Sequence, residues 1–286
     1  NEDSGMNYKD NCYRFRQDSS LLYFVGLDKP SLALIIDIDT DKEMIIGDEA
    51  SIDDIVWMGT QASLSELAST TGIAIVKAVS ELEGIMNKAV ANKQTIHYLP
   101  PYRPENSIKL SDLLGIPVKE IKEKASVPLI KAIVAQRSIK SPEEVLEIHK
   151  AVNTSNEMHL AAMRYTKEGL RESEVAGRIE GIAISAGGNI SYPVIYTVNG
   201  QTLHNHATSN VMKKGQLVLC DAGAETAMHY AGDLTRTFPV EKIFTAVQKE
   251  VYEIVLGAEQ AAVKALTPGK LFRDIHFLAS EYLVEG

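Results

Sequence analysis

The 286-residue sequence carries only two cysteines, Cys12 and Cys220, too few for a disulfide framework. Cys220 ends an apolar run, where a reduced thiol packs as a small hydrophobe, so both are read as free thiols in a reducing cytosol and the protein as cytoplasmic. Long hydrophobic runs are missing too. None exceeds five residues, Leu32 to Ile36 being one, so no segment is expected to span a bilayer. Basic charge is the third shortage: 29 Lys and Arg against 38 Asp and Glu leave a net charge of −9. An acidic chain without a basic block repels phosphate backbones, which argues against nucleic acid as a partner. What remains is an ordinary globular composition, 45% hydrophobic and 23% charged. At roughly 100–200 residues per domain, the length predicts two domains or one large one.

The first half alternates strand and helix signals. Leu21 to Val25 is an apolar run closed by Gly26. Leu32 to Ile38 reads as a strand buried on both faces. The polar turn Asp39-Thr40-Asp41-Lys42 then returns Glu43 to Ile46 antiparallel as a hairpin. Ser63 to Ala68 and Ser80 to Ala91 have helical spacing, and Ile73 to Val76 and Thr95 to Leu99 read as short strands. A boundary falls near Ser138, giving a mixed α/β domain over residues 1–138 and a second domain over 139–286. Ser141, Pro142 and Glu144 form a capping-box signature for a long helix reaching about Thr166. A second helix follows from about Glu172 to Ser185. Strands are expected at Val194 to Val198, Leu217 to Cys220 and Thr235 to Val240. Thr245 and Gln248 cap a further helix carrying Val247, Val251, Ile254, Val255, Ala258 and Ala262 on one face. The class is α/β, or α+β in its segregated form. Residues 1–10 are polar without a signal-peptide pattern, no Met stands first, and the chain stops inside an apolar helical pattern. Both ends are therefore expected to be cut.

The chemistry concentrates in Leu217-Val218-Leu219-Cys220-Asp221-Ala222-Gly223-Ala224-Glu225 and in His229 to Pro239. Two apolar strands flank a small-residue turn. A turn centred on Ala227 would set Asp221 directly opposite Asp233, with Cβ atoms about 4.5–5.5 Å apart. Like charges that close call for a cation between them, and hard carboxylate oxygens suit Mn, Zn or Co. Two solvated aspartates at strand ends remain the other reading. Upstream, His204 and His206 stand two apart in a polar stretch, either as solvated turn residues or as side chains able to reach one cation. His229 is expected in solvent at the hairpin tip, and His97, His149, His159 and His276 are read as structural.

Asp-Ala-Gly-x-Glu from Asp221, followed by Tyr-Ala-Gly-Asp-Leu-Thr-Arg-Thr-Phe-Pro-Val over Tyr230 to Val240, resembles the pita-bread metallopeptidases, and among them the Xaa-Pro aminopeptidases (aminopeptidase P). Tyr13-Arg14-Phe15-Arg16-Gln17-Asp18-Ser19 with Leu22 to Leu27 is similar to the start of the aminopeptidase P N-terminal domain. The resemblance covers nearly all of the chain. It implies an N-terminal domain over 1–138 that lacks its start, and over 139–286 the first half of a pita-bread catalytic domain. It further implies two divalent ions, usually Mn, on five ligands, of which Asp221 and Asp233 match the first two. His204 matches the family histidine that contacts substrate and helps move a proton. The implied reaction is attack of a metal-activated hydroxide on the carbonyl before a proline at the second position of a peptide, in a homodimer or homotetramer.

Two departures carry consequences. The aspartates stand one residue further apart than is usual in the family, which predicts a longer hairpin tip or a bulge near Ala227. The remaining His and two Glu ligands are expected after Gly286, so the 286 residues alone are expected to bind metal weakly and hydrolyse nothing. An Xaa-Pro dipeptidase (prolidase), a metal-free binding or scaffold protein, and creatinase-like chemistry are the alternatives, since a fold alone does not fix a function.

Overall fold

The chain forms two units, Asn1–Lys140 and Ser141–Gly286, in a computed structural model that describes residues 1–206 and 209–286. The first unit opens with a hairpin of β1 (Gly5–Tyr8) and β2 (Asn11–Cys12). The apolar run at Leu21 lies in helix α1 (Ser19–Val25), where the Asp18 carboxylate accepts from the Ser20 and Leu21 N–H groups. β3 (Ala33–Asp37) and β4 (Lys42–Ile46) form the hairpin read from the sequence, and β4 pairs parallel with β5 (Ile75–Lys77). Helices α2 (Ile52–Met58) and α3 (Leu64–Ser69) lie between β4 and β5 in sequence, and α4 (Leu82–Ala91), α5 (Pro104–Leu114), α6 (Val118–Ile121) and α7 (Val127–Ser138) follow. Val25, Leu27, Leu32, Ile45, Leu64, Ala68 and Ile73 make its core.

Two expectations for this unit fail. The first strand is not buried on both faces: the sheet order β3-β4-β5 leaves β3 at an edge, with Ile36 and Ile38 exposed. Thr95 to Leu99 forms no strand. Its polar groups turn to helices instead, the Tyr98 carbonyl accepting from the Ser126 N–H and the Tyr98 hydroxyl donating to the Ile121 carbonyl.

In the second unit the Ser141–Glu144 capping box starts α8 (Pro142–Tyr165), and α9 (Glu172–Ser185) follows. After β6 (Asn189–Ile190) come β7 (Ile195–Thr197), β8 (Leu217–Ala222), β9 (Ala224–Glu225) and β10 (Leu234–Pro239). The Thr245–Gln248 box starts α10 (Ala246–Ala265), which packs on α11 (Phe272–Glu285). Of the apolar face read on α10, Ala258 is buried while Val247, Val251 and Val255 are exposed.

One antiparallel sheet, ordered β10-β8-β7, positions everything that follows. Strand β8 alternates strictly. Val218, Cys220 and Ala222 are fully buried in a core shared with Met158 and Ala162 of α8 and Val175 and Ile179 of α9. Period two therefore puts Asp221 on the face turned away from those helices. Among the described residues, no helix is long and apolar enough to cross a membrane.

Candidate metal centre

The two aspartates do not face each other across the hairpin. Leu234 pairs with Ala222 and Thr235 with Asp221, so Asp233 lies two residues out of register with Asp221. The tip explains the offset. The Ala227-Met228-His229 loop is closed by His229 N–H to the Thr226 carbonyl and Thr226 N–H to the Tyr230 carbonyl, both at 2.9 Å. His229 takes a left-handed φ of 63°, the arrangement of a three-residue hairpin loop. The centre is thus Met228 rather than Ala227.

An offset of two keeps both carboxylates on one face as diagonal neighbours. They converge on a single atom. The Tyr192 hydroxyl oxygen lies 2.5 Å from Asp221 Oδ1 and 2.8 Å from Asp233 Oδ1. A phenol has one proton and can donate it to one of the two, so the other carboxylate oxygen meets an oxygen without a proton between them. Burial, followed by the two carboxylate contacts, drives the Tyr192 pKa far above the ordinary tyrosine value. The phenol stays neutral and adds no charge to offset the pair, which is three groups with oxygen donors around one point and a surplus of negative charge. That donor set fits a hard divalent cation.

Replacing Tyr192 with Phe removes the one proton the carboxylates share. The metal-free chain is expected to lose about 1 kcal/mol in a urea unfolding series, since two acceptors then face each other without a donor. An unchanged unfolding midpoint would show that water replaces the phenol at no cost.

The remaining sequence candidates scatter. His204 is an exposed turn residue after β7, with no hydrogen bond to either aspartate, and His206 is exposed as well. Residues 207 and 208, which follow, lie outside the described residues. His229 is not in solvent: its side chain is 12% exposed and its Nδ1 lies 2.9 Å from Glu225 Oε1, because the left-handed turn folds the ring back over that buried carboxylate. His159 is buried on α8 behind the sheet, its Nε2 3.0 Å from the Ala222 carbonyl next to Asp221, and burial lowers its pKa. Burial pushes the Cys220 thiol up to about 12, which leaves it inert. Among the described residues, no three His, Cys, Asp or Glu side chains cluster as a metal site.

Sequence reading missed Tyr192. Its only local signal is Pro193, which holds the preceding residue extended. Nothing in the pattern says that a phenol from the segment before β7 reaches the far ends of β8 and β10.

Residues 147–286 match metallopeptidase family M24, and residues 1–97 match the aminopeptidase P N-terminal domain. A probable Xaa-Pro aminopeptidase of Sordaria macrospora is 29% identical over 97% of this chain and 47% of its own length. The structure of Pseudomonas aeruginosa aminopeptidase PepP superposes with a TM-score of 0.84 at 26% identity, covering 98% of this chain and 65% of that one. Zinc-substituted Escherichia coli aminopeptidase P in complex with product gives a TM-score of 0.84 at 25% identity, over 98% and 66%. The chain spans about half the length of the curated relatives it matches. An aminopeptidase P N-terminal domain joined to a family M24 domain, with the paired aspartates on its central hairpin, makes this chain a member of the aminopeptidase P group of pita-bread metallopeptidases.

Proposed function

We propose that the protein is a metal-dependent aminopeptidase that releases the N-terminal residue from peptides with proline at the second position. The convergence of Asp221 and Asp233 on one point carries this reading, because it gathers hard oxygen donors and uncompensated negative charge on the open face of the sheet. The two carboxylates would hold divalent ions, Mn by family resemblance with Zn or Co as substitutes. Such ions, when bound, lower the pKa of water and polarise a peptide carbonyl.

The chain's own residues do the rest. Tyr192 keeps its proton and orients the carboxylates. His204, exposed on its turn, can reach a bound peptide and hold a proton for the departing proline nitrogen. Free thiols at Cys12 and Cys220 support a reducing, cytoplasmic setting. A homodimer or homotetramer belongs to the same reading. The domains are taken as 1–138 and 139–286.

Two carboxylates are fewer than half of the five ligands the resemblance implies, so the 286-residue chain alone is expected to bind Mn weakly and to hydrolyse nothing. The complete gene product with added Mn is expected to release the first residue from an Xaa-Pro-Xaa tripeptide. Cleavage of Xaa-Pro dipeptides only would make it a dipeptidase. No cleavage of either, together with no divalent metal by elemental analysis, would make it a binding protein.

A further inference from the structure

Glu172, the first residue of α9, is a buried acid of the second unit. It is fully buried, and among the described residues no lysine, arginine or histidine pairs with it. A buried carboxylate without a cation is costly unless its oxygens are filled by hydrogen bonds. Here neutral donors fill them. Oε1 accepts from the Val198 N–H at 2.8 Å, and the Asn210 amide nitrogen lies 3.2 Å from Oε1 and 3.1 Å from Oε2. The Glu172 N–H in turn donates to the Asn210 carbonyl at 3.0 Å.

Val198 and Asn210 are the two ends of the segment that carries His204. The outgoing end is tied further by Thr197, a buried residue whose Oγ1 accepts from the Asn199 N–H at 2.9 Å and from the Asn205 side-chain amide at 3.0 Å. The returning end continues as a pairing with the start of α9, through the Arg171–Val211 bridge and the Met212 N–H to the Leu170 carbonyl. His204 itself is exposed, so its placement depends on how firmly this base is closed.

We infer that Glu172 is a positioning residue, a buried clamp that closes the base of the His204 segment and fixes where that histidine stands. The charge has a geometric reason. Only a carboxylate offers acceptors on both oxygens. A glutamine has one acceptor in place of two: with its oxygen on the Val198 N–H, its NH2 faces the Asn210 NH2, and the Asn210 amide has to turn over and give up its present hydrogen bonds. The clamp itself follows from the geometry alone, while its catalytic consequence rests on the role proposed above for His204.

The test uses Glu172→Gln and, from the other side of the clamp, Asn210→Ala. In the 286-residue chain both are expected to speed amide exchange of Val198 and residues 199–206 by about tenfold or more, with β8 and β10 unchanged. In the complete gene product Glu172→Gln is expected to lower kcat on an Xaa-Pro-Xaa peptide by about tenfold, with KM moving less. In a His204→Ala background that loss should shrink to about twofold or less, as for two residues acting through one another. Unchanged exchange in both variants, or exchange rising equally across β8, overturns the clamp. An activity loss of the same size in the His204→Ala background overturns its action through the histidine. If His204→Ala alone costs no activity, the reading of that histidine falls, and the exchange data decide the clamp by themselves.

Discussion

Asp221→Asn is expected to have opposite effects on activity and on stability. In the complete gene product, peptide hydrolysis should fall on the order of 10³-fold, the scale at which loss of Lewis-acid stabilisation shows in a rate. In the metal-free 286-residue chain the same substitution should raise stability by about 0.5 kcal/mol, because it removes one of two like charges held on neighbouring strands. The structure gives the reason for the second half. The Tyr192 hydroxyl donates to one carboxylate oxygen at a time, whereas an asparagine amide brings protons of its own to the same point. A site that weakens the apo fold while serving the reaction is the usual form of a stability–activity trade-off. Rate assays with added Mn and urea unfolding in chelator check the pair. A variant that keeps a tenth of the activity, or an apo chain that becomes less stable, would sink the assignment of Asp221 as a ligand.

Much of the second unit was legible because its signals are local. Ser141 with Glu144 and Thr245 with Gln248 each start a helix, since a cap is decided by residues three apart. The alternation from Leu217 to Ala222 fixed which face Asp221 takes. Register was not legible. Whether Asp221 meets Asp233 or Thr235 depends on one residue in the tip, and the left-handed turn at His229 settles it. The same turn decides that His229 covers Glu225 instead of standing in solvent. Tyr192 and Glu172 were missed for another reason. Both act across the fold, on partners 29 and 26 residues away in sequence, and no periodicity encodes such a reach. Thr95 to Leu99 failed because its polar groups find partners in helices, Tyr98 bonding Ser126 and Ile121, and local β-propensity does not outweigh such tertiary contacts.

Gly223→Ala is expected to place one of the two most damaging methyl groups in the second unit, beside one at Gly188. A Cβ at Gly223 would lie 1.9 Å from the Gly232 carbonyl oxygen and 3.1 Å from Ser191 Oγ. Backbone cannot step aside as a flexible side chain can, and three hydrogen bonds hold it in place. Ser191 N–H donates to the Gly223 carbonyl at 2.9 Å, Ser191 Oγ donates to the Gly232 carbonyl at 2.8 Å, and Gly232 N–H donates to the Ala224 carbonyl at 2.8 Å. Pushing these segments apart moves Ser191, and with it Tyr192, away from Gly232 and the neighbouring Asp233. The methyl group therefore strikes the fold and the convergence of the two carboxylates together. Overpacking against backbone at this distance is expected to cost about 3 kcal/mol, at the upper end for an added methyl group. Gly177→Ala supplies the control of opposite sign. On the exposed side of α9 a new Cβ meets nothing within 4 Å, and alanine there should stabilise by about 0.5–1 kcal/mol through helix propensity and a less flexible unfolded chain. Urea unfolding of both variants beside the parent chain measures the difference. A cost below about 1 kcal/mol for Gly223→Ala would mean that the hairpin relaxes around the methyl group, and that its glycines do not fix the spacing of the two aspartates.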